Sequence, residues 1–199
     1  MTPDEYCQQK AAASGSSFYY SFLFLPPERR RAITALYAFC REVDDVVDET
    51  SDPQLAASIF GYREARTLEY AKNLGLAFQL TNIIRDVGED ARKNRIYLPM
   101  ADMKEFGVPA ADILQSKETP EFQRLMSFQA ARAREYYEKA MQALPAEDRK
   151  PQRPGLIMAA IYRTLLDEIE RDGFGVLNQR TSLTPLRKFW IAWKTWISA

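Results

Sequence analysis

Apolar residues along this chain recur at spacings of three and four, and no stretch alternates in steps of two for long enough to require a sheet. An aromatic run, Phe18 to Leu25, leads into Pro26-Pro27, and a helix with proline in its first turn is predicted from there to about Glu49. A second helical region is predicted from about Ser58 to Arg92, followed by a loop over 93–112. Thr119-Pro120-Glu121 then opens a long helix to about Ala143, with Thr119 as its N-cap. Pro154 opens another, closed by Gly173 as a C-cap glycine. The pattern predicts one all-α domain over 1–199, long enough to bury a core.

Composition narrows the chemistry. Hydrophobic residues make up 46% and aromatics 12%, which excludes a disordered chain. Lys+Arg and Asp+Glu are both 27, so nothing global draws the chain to nucleic acid and any electrostatic function is local. Two cysteines, Cys7 and Cys40, are too few for a disulfide framework and suit a reducing compartment. There is no histidine, which removes the commonest zinc ligand and general base. Carboxylates, tyrosines, arginines or a hard cation are left to do chemistry. No signal segment opens the chain and no apolar run reaches the roughly 18 residues of a membrane span, so a cytoplasmic location is expected. The tail "RKFWIAWKTWISA" (187–199) holds all three tryptophans beside Arg187, Lys188 and Lys194. It reads either as a helix docked by its aromatics or as an interfacial helix resting on a membrane.

Two polar stripes share one spacing. At about 100° per residue, Tyr37, Arg41, Asp44 and Asp48 fall within one narrow sector of their helix, with Asp45 at its edge. Gln79, Asn82, Asp86 and Asp90 do the same on the next. A carboxylate pair at i,i+4 is usually a solvated face, and the first helix, with Leu36, Phe39, Val43, Val46 and Val47 opposite, does not escape that reading alone. The second stripe is flanked by Leu76, Ile83 and Val87 on one side and Phe78 on the other, so it is a narrow polar line walled by apolar residues. Carboxylates packed this way repel unless a cation neutralises them. All-oxygen ligation without His or Cys suits Mg²⁺, which bridges to substrate phosphate.

The motifs "YAFCREVDDVVDE" (37–49) and "GLAFQLTNIIRDVGEDARKNRIYLP" (75–99), supported by "SGSSFYYSFLFLPPERR" (14–30) and "AAIYRTLLDEIERDGFGVL" (159–177), resemble the squalene/phytoene synthases, head-to-head prenyl transferases. The wording is most similar to the bacterial hopanoid branch that makes presqualene diphosphate. The resemblance implies an all-α bundle of the isoprenoid synthase type. It makes Asp44, Asp45 and Asp48 the first aspartate-rich motif and Asp86 and Asp90 the second, binding Mg²⁺ that bridges the diphosphates of two farnesyl diphosphates. Tyr37 and Arg41 sit where the family contacts diphosphate. Gln79 and Asn82 line the ionisation site, Ser17 and Phe18 the pocket wall, and Arg95 and Tyr97 the closing loop. Tyr162, Arg180 and Arg187 are the C-terminal contacts.

Where "DETSDPQLA" meets "ASIFGYRE" the family carries several further helices, so the resemblance implies an internal deletion near 56–57. Three readings stand: condensation of farnesyl diphosphate to presqualene diphosphate (or, in the phytoene manner, of a related prenyl diphosphate); a shortened relative with only a binding or structural role; and a helical module whose acids are ordinary surface.

Overall fold

The computed structural model describes 24–44 and 60–198, together with 5, 8, 9, 22, 57 and 58; within 24–44 the side chains are described as far as 35. Among the described residues the long elements are helices: α1 Pro27–Asp44, α2 Arg66–Arg92, α3 Met100–Glu105, α4 Ala110–Leu114, α5 Pro120–Ala143, α6 Arg153–Arg171 and α7 Pro185–Ser198. A 3₁₀ turn, Ala146–Asp148, precedes α6. No strand occurs among the described residues.

Two helix starts follow one local rule. Thr119 Oγ1 accepts the Phe122 N–H at 3.1 Å and Pro120 fills the first helical position, as predicted. Thr184-Pro185 repeats the device, with Thr184 Oγ1 accepting the Arg187 N–H at 3.4 Å. At the other end of α6, Gly173 adopts φ +67° and its N–H reaches Glu170 O at 3.0 Å. That left-handed residue is the C-cap predicted there.

The structure departs from the pattern in two places. The helix expected from Ser58 is broken at 61–65, and α2 begins at Arg66. Gly61 turns at φ +89° while its N–H closes on Ala57 O at 3.0 Å, ending a helical turn. The loop 93–112 contains α3 and α4. Each follows a proline, Pro99 and Pro109, and each is too short for a hydrophobic period to register.

The sequence predicts a single domain, and the chain resolves into two compact units: 1–75 with 139–161 and 184–199, and 76–138 with 162–183. In the first, Phe22, Leu25, Ile33, Leu74, Ile157 and the Tyr70 ring are buried. Gly155 admits that ring, since a Cβ there would lie 2.5 Å from the Tyr70 hydroxyl. Burial pushes the Tyr70 phenol well above its ordinary value, against a smaller opposing pull from Arg149. Gln152 Nε2 donates to Ala57 O (3.0 Å) and Gly61 O (2.9 Å), and Arg29 Nη1 to Phe60 O (2.6 Å), tying down 57–61. In the second unit Ile84, Ile113, Phe122, Leu125, Leu166 and Ile169 are fully buried, each contributing about 1.5–3 kcal/mol. The Thr81 and Tyr137 hydroxyls meet at 2.9 Å, which satisfies two buried polar groups inside that core.

Candidate functional site

The second stripe lies entirely in the second unit. Gln79, Asn82, Asp86 and Asp90 are all half-buried along α2. Of their predicted walls, Val87 is buried and Phe78 packs on Tyr162 (ring centroids 4.8 Å) and Tyr137 (6.1 Å), whereas Leu76 remains exposed.

Asp86 is held by two arginines. Arg85 Nε donates to Asp86 Oδ1 at 2.7 Å, and its Nη2 donates to Oδ2, a bidentate fork. Arg180 Nε donates to Asp86 Oδ1 at 2.9 Å and lies 3.5 Å from Glu89 Oε2. Burial alone would raise the Asp86 carboxyl; hydrogen bonds and charge from Arg85, then Arg180, outweigh it and hold the group below the usual carboxylate range. Burial likewise opposes the Arg85 charge, yet Asp86 and the Tyr162 hydroxyl keep the guanidinium firmly protonated. Tyr162, Arg85, Asp86 and Arg180 therefore form one connected network.

Two backbone features bring the remaining residues up to it. Gly88 is buried, and a Cβ at that position would sit 2.3 Å from Leu177 O and 2.4 Å from Val176 O. Only glycine lets the segment carrying Arg180 lie directly on α2, where Arg92 Nη1 also reaches Leu177 O at 3.3 Å. At the end of α2, Asn94 takes φ +58°, with Asn94 N–H to Ala91 O and Arg95 N–H to Asp90 O both at 2.9 Å. This paired closure turns the chain back. It folds Arg95, Ile96, Tyr97 and Leu98 against Ile83, Val87 and Asp90 around a shallow notch. The following helix is pinned by Asp102, which accepts from Gln129 Nε2 (2.7 Å) and Arg132 Nη1 (2.6 Å). The Arg132 hydrogen bond, more than the opposing burial, holds the Asp102 carboxyl below its usual value.

Gly88→Ala follows as a direct test of that close approach. The new methyl meets rigid carbonyl oxygens, so the 174–183 segment must shift. The expected loss is about 2–3 kcal/mol, read as a lowered thermal midpoint; an unchanged midpoint would mean the contact is looser than the geometry implies.

The predicted residues thus divide. Asp86, Asp90, Gln79, Asn82, Tyr162, Arg180, Arg95 and Tyr97 all belong to the second unit. Arg187 belongs to the first, exposed on α7. Ser17, Phe18, Asp45 and Asp48, and the side chains of Tyr37, Arg41 and Asp44, lie outside the described residues. Sequence reasoning passed over Arg85, Gly88, Asn94 and the Asp102 clasp. A glycine inside a helical pattern was the available signal for Gly88; neighbours i,i+1 do not ordinarily share a face, so nothing marked Arg85.

The donor chemistry fits a hard divalent cation. Asp86 and Asp90 supply carboxylates, and Asn82 Oδ1 is buried with no hydrogen-bond partner, an oxygen left available on the same stripe. Among the described residues no group of three or more potential ligating Asp, Glu, Cys or His residues gathers at one point. In their place, two guanidiniums supply the positive charge beside Asp86.

Comparison with known proteins bears on fold and lineage. The sequence model of the family described as squalene/phytoene synthase matches residues 11–58 and 54–187. The 15-cis-phytoene synthase of Synechocystis sp. is 27% identical over 285 aligned positions, covering 98% of this chain and 85% of that protein. The phytoene synthase of Arthrospira platensis is 39% identical over 143 positions, 70% of this chain but only 45% of that protein. The chain likewise spans 39% of phytoene synthase 3 of Zea mays. Among solved structures, a dehydrosqualene synthase in complex with ligand superposes with a TM-score of 0.77 at 22% identity, covering 96% of this chain and 94% of that one. The squalene synthase HpnC of Alicyclobacillus acidocaldarius superposes at 0.71 and 18% identity, with 86% and 94% covered. The structural likenesses establish the all-α fold, and the match of the family model across most of the sequence establishes the lineage: this chain belongs to the squalene/phytoene synthase family.

Proposed function

We propose that the chain is a Mg²⁺-dependent prenyl transferase of this family that joins two farnesyl diphosphates head-to-head, giving presqualene diphosphate. Head-to-head isoprenoid condensation is the family's reaction. The observation that carries the reading is the Asp86 cluster: half-buried carboxylates and an unpartnered amide oxygen on one line of α2, with the guanidiniums of Arg85 and Arg180 closing on Asp86. Bound between such carboxylates and a diphosphate, Mg²⁺ would supply the charge withdrawal that lets the diphosphate leave.

The side chains divide the remaining work. Arg180 is more than half exposed, so its guanidinium can exchange Asp86 for an incoming diphosphate at little desolvation cost. Arg85, less exposed and fastened to both Asp86 and Tyr162, keeps the carboxylate aimed. The Phe78–Tyr162 ring pair walls the same line with aromatic faces able to stand beside a developing allylic cation. Arg95 and Tyr97, returned by the Asn94 turn, complete the rim. In the joining step the C2–C3 double bond of one farnesyl chain attacks C1 of the other, diphosphate departs, and loss of one proton to that diphosphate or a tyrosine closes the cyclopropane.

A second reading has its own support. The curated relatives above are phytoene synthases, which favours a longer prenyl substrate. A third rests on length: the family model matches in two stretches that meet at 54–58, which supports the loss of an internal segment and with it part of the pocket wall. Labelled farnesyl and geranylgeranyl diphosphates, each with Mg²⁺ or with chelator, separate the three. The proposal expects Mg²⁺-dependent conversion of the farnesyl substrate at least about tenfold faster, with presqualene diphosphate as product. The reverse preference overturns the substrate. Protection against heat by a farnesyl diphosphate analogue without turnover leaves a binding protein, and release of farnesol alone leaves a chain that ionises the substrate but has lost the condensation.

A further inference from the structure

Helix α7 has two different faces. Ala192 is fully buried, and Trp196 stacks on Phe24 (centroids 5.3 Å) beneath the Arg153 guanidinium (4.9 Å), so one side of the helix is docked within the first unit. The other side is apolar and open: Leu186 is 83% exposed, Trp190 60%, Trp193 42% and Ile197 62%. At 100° per residue these four fall within a sector of about 60°. The Trp190 and Trp193 rings pack against each other at 5.1 Å, making the stripe continuous.

The charge carried by this helix has one sign. The helix contains Arg187, Lys188 and Lys194 and no acidic residue. Arg187 and Lys194 are exposed, and their helical angles place them along one edge of the stripe. Tryptophan over a fatty stripe with a basic border is the composition that lies at a bilayer surface. An antiparallel second copy would oppose one basic border to another, which disfavours that occupant. With 14 residues, α7 is about 21 Å long. That is too short to span the hydrocarbon core, and among the described residues no helix is long and apolar enough to cross a membrane.

We propose that α7 is an in-plane anchor for an anionic phospholipid bilayer. Leu186, Trp190, Trp193 and Ile197 enter the headgroup–acyl boundary while Lys194 and Arg187 meet lipid phosphates. The inference does not depend on the catalytic reading, because it concerns a different helix in a different unit.

The test uses the full chain with vesicles of phosphatidylcholine, alone or mixed with phosphatidylglycerol. All three tryptophans of the protein lie in α7, so tryptophan emission, excited selectively over tyrosine, reports on this helix alone. The expected result is flotation with the mixed vesicles and a blue-shifted emission, both weakened by added salt. Replacing Trp190→Ser and Trp193→Ser together lowers partitioning about tenfold or more, and Lys194→Glu abolishes the preference for the anionic lipid without removing an apolar contact. Thermal unfolding of each variant confirms that the fold is kept. A parent protein that stays in the aqueous phase at both compositions overturns the proposal. So does binding unaffected by either change, or a concentration-dependent dimer that the double substitution dissolves.

Discussion

Asp86→Asn is expected to cut Mg²⁺-dependent turnover of farnesyl diphosphate at least about a hundredfold while the chain remains folded. Asparagine keeps the shape of the side chain and one acceptor oxygen but loses the charge on which both arginines close. Arg180 is largely exposed and returns to water at little cost; Arg85 keeps its bond to Tyr162. The structural loss is therefore modest, about 1–2 kcal/mol for charge-assisted bonds in a partly exposed site. The sign with pH is fixed by the direction of the shift. The folded-state value of Asp86 lies below the ordinary carboxylate value, so its contribution to stability is present above that ordinary value and fades as pH falls through the folded one. The substitution should therefore lower stability at neutral pH by that amount and converge with the parent as pH falls, which flattens the acid limb. Because Asp86 stays ionised throughout the neutral range, it is not the group that a pH–rate profile would reveal. Steady-state turnover beside thermal unfolding at neutral and acid pH reads both effects. Parental turnover in the variant would remove the cation-holding role, whatever the fold.

What could be read from the sequence was local. The start of α5 is written in three adjacent residues, Thr119-Pro120-Glu121, and the structure begins the helix there. The Gln79–Asn82–Asp86–Asp90 stripe follows from helical geometry, because one turn fixes which side chains share a face. The failures are equally physical. The break at Gly61 depends on Gln152 and Asp148, which arrive from more than 80 residues away and capture the backbone of 57–64. No periodicity carries such information. Arg180 reaches Asp86 across 94 residues of sequence, and only the family resemblance, not spacing, directed attention to it. The clasp by Asp102 of Gln129 and Arg132 belongs to the same class: a buried acid that pattern reading assigns to an exposed loop until its partners are in place. The tail shows a third case. One face of α7 carries the docking ring of Trp196, as the docked reading expects, and the other leaves Trp190 and Trp193 exposed.

The largest stability effect is expected at Asp148, a residue that no motif marks. Its side chain is fully buried and accepts three hydrogen bonds: from Thr67 Oγ1 at 2.6 Å, the Arg63 N–H at 2.8 Å and the Glu64 N–H at 3.0 Å. These donors lie at the entry to α2, the helix whose later turns carry Asp86 and Asp90. Asp148→Ala leaves a buried hydroxyl and two part-buried backbone N–H groups without their acceptor. At about 1–3 kcal/mol for each unsatisfied buried group, with partial relaxation, the loss is about 3–5 kcal/mol, a fall in thermal midpoint on the order of 10 °C. Asp148→Asn should recover part of this, because its oxygen can take the place of Oδ2, which accepts from Thr67 and Glu64, while its amide nitrogen faces only the Arg63 N–H. Burial by itself would raise the Asp148 carboxyl; the Thr67 hydroxyl and the two N–H groups overcome that and lower it. The native carboxylate thus stabilises the fold above the ordinary carboxylate value, and that contribution drains away as pH drops toward the folded-state value. Unfolding measured from neutral to acid pH should show the parent losing stability steeply at the acid end. The asparagine variant should lose less there, keeping the slope that Asp86 and Asp102 still provide. If Asp148→Ala melts within about 1 °C of the parent, the entry to α2 is held by something other than this carboxylate, and the 0.05–0.15 kcal/mol per residue typical of a fold is distributed elsewhere.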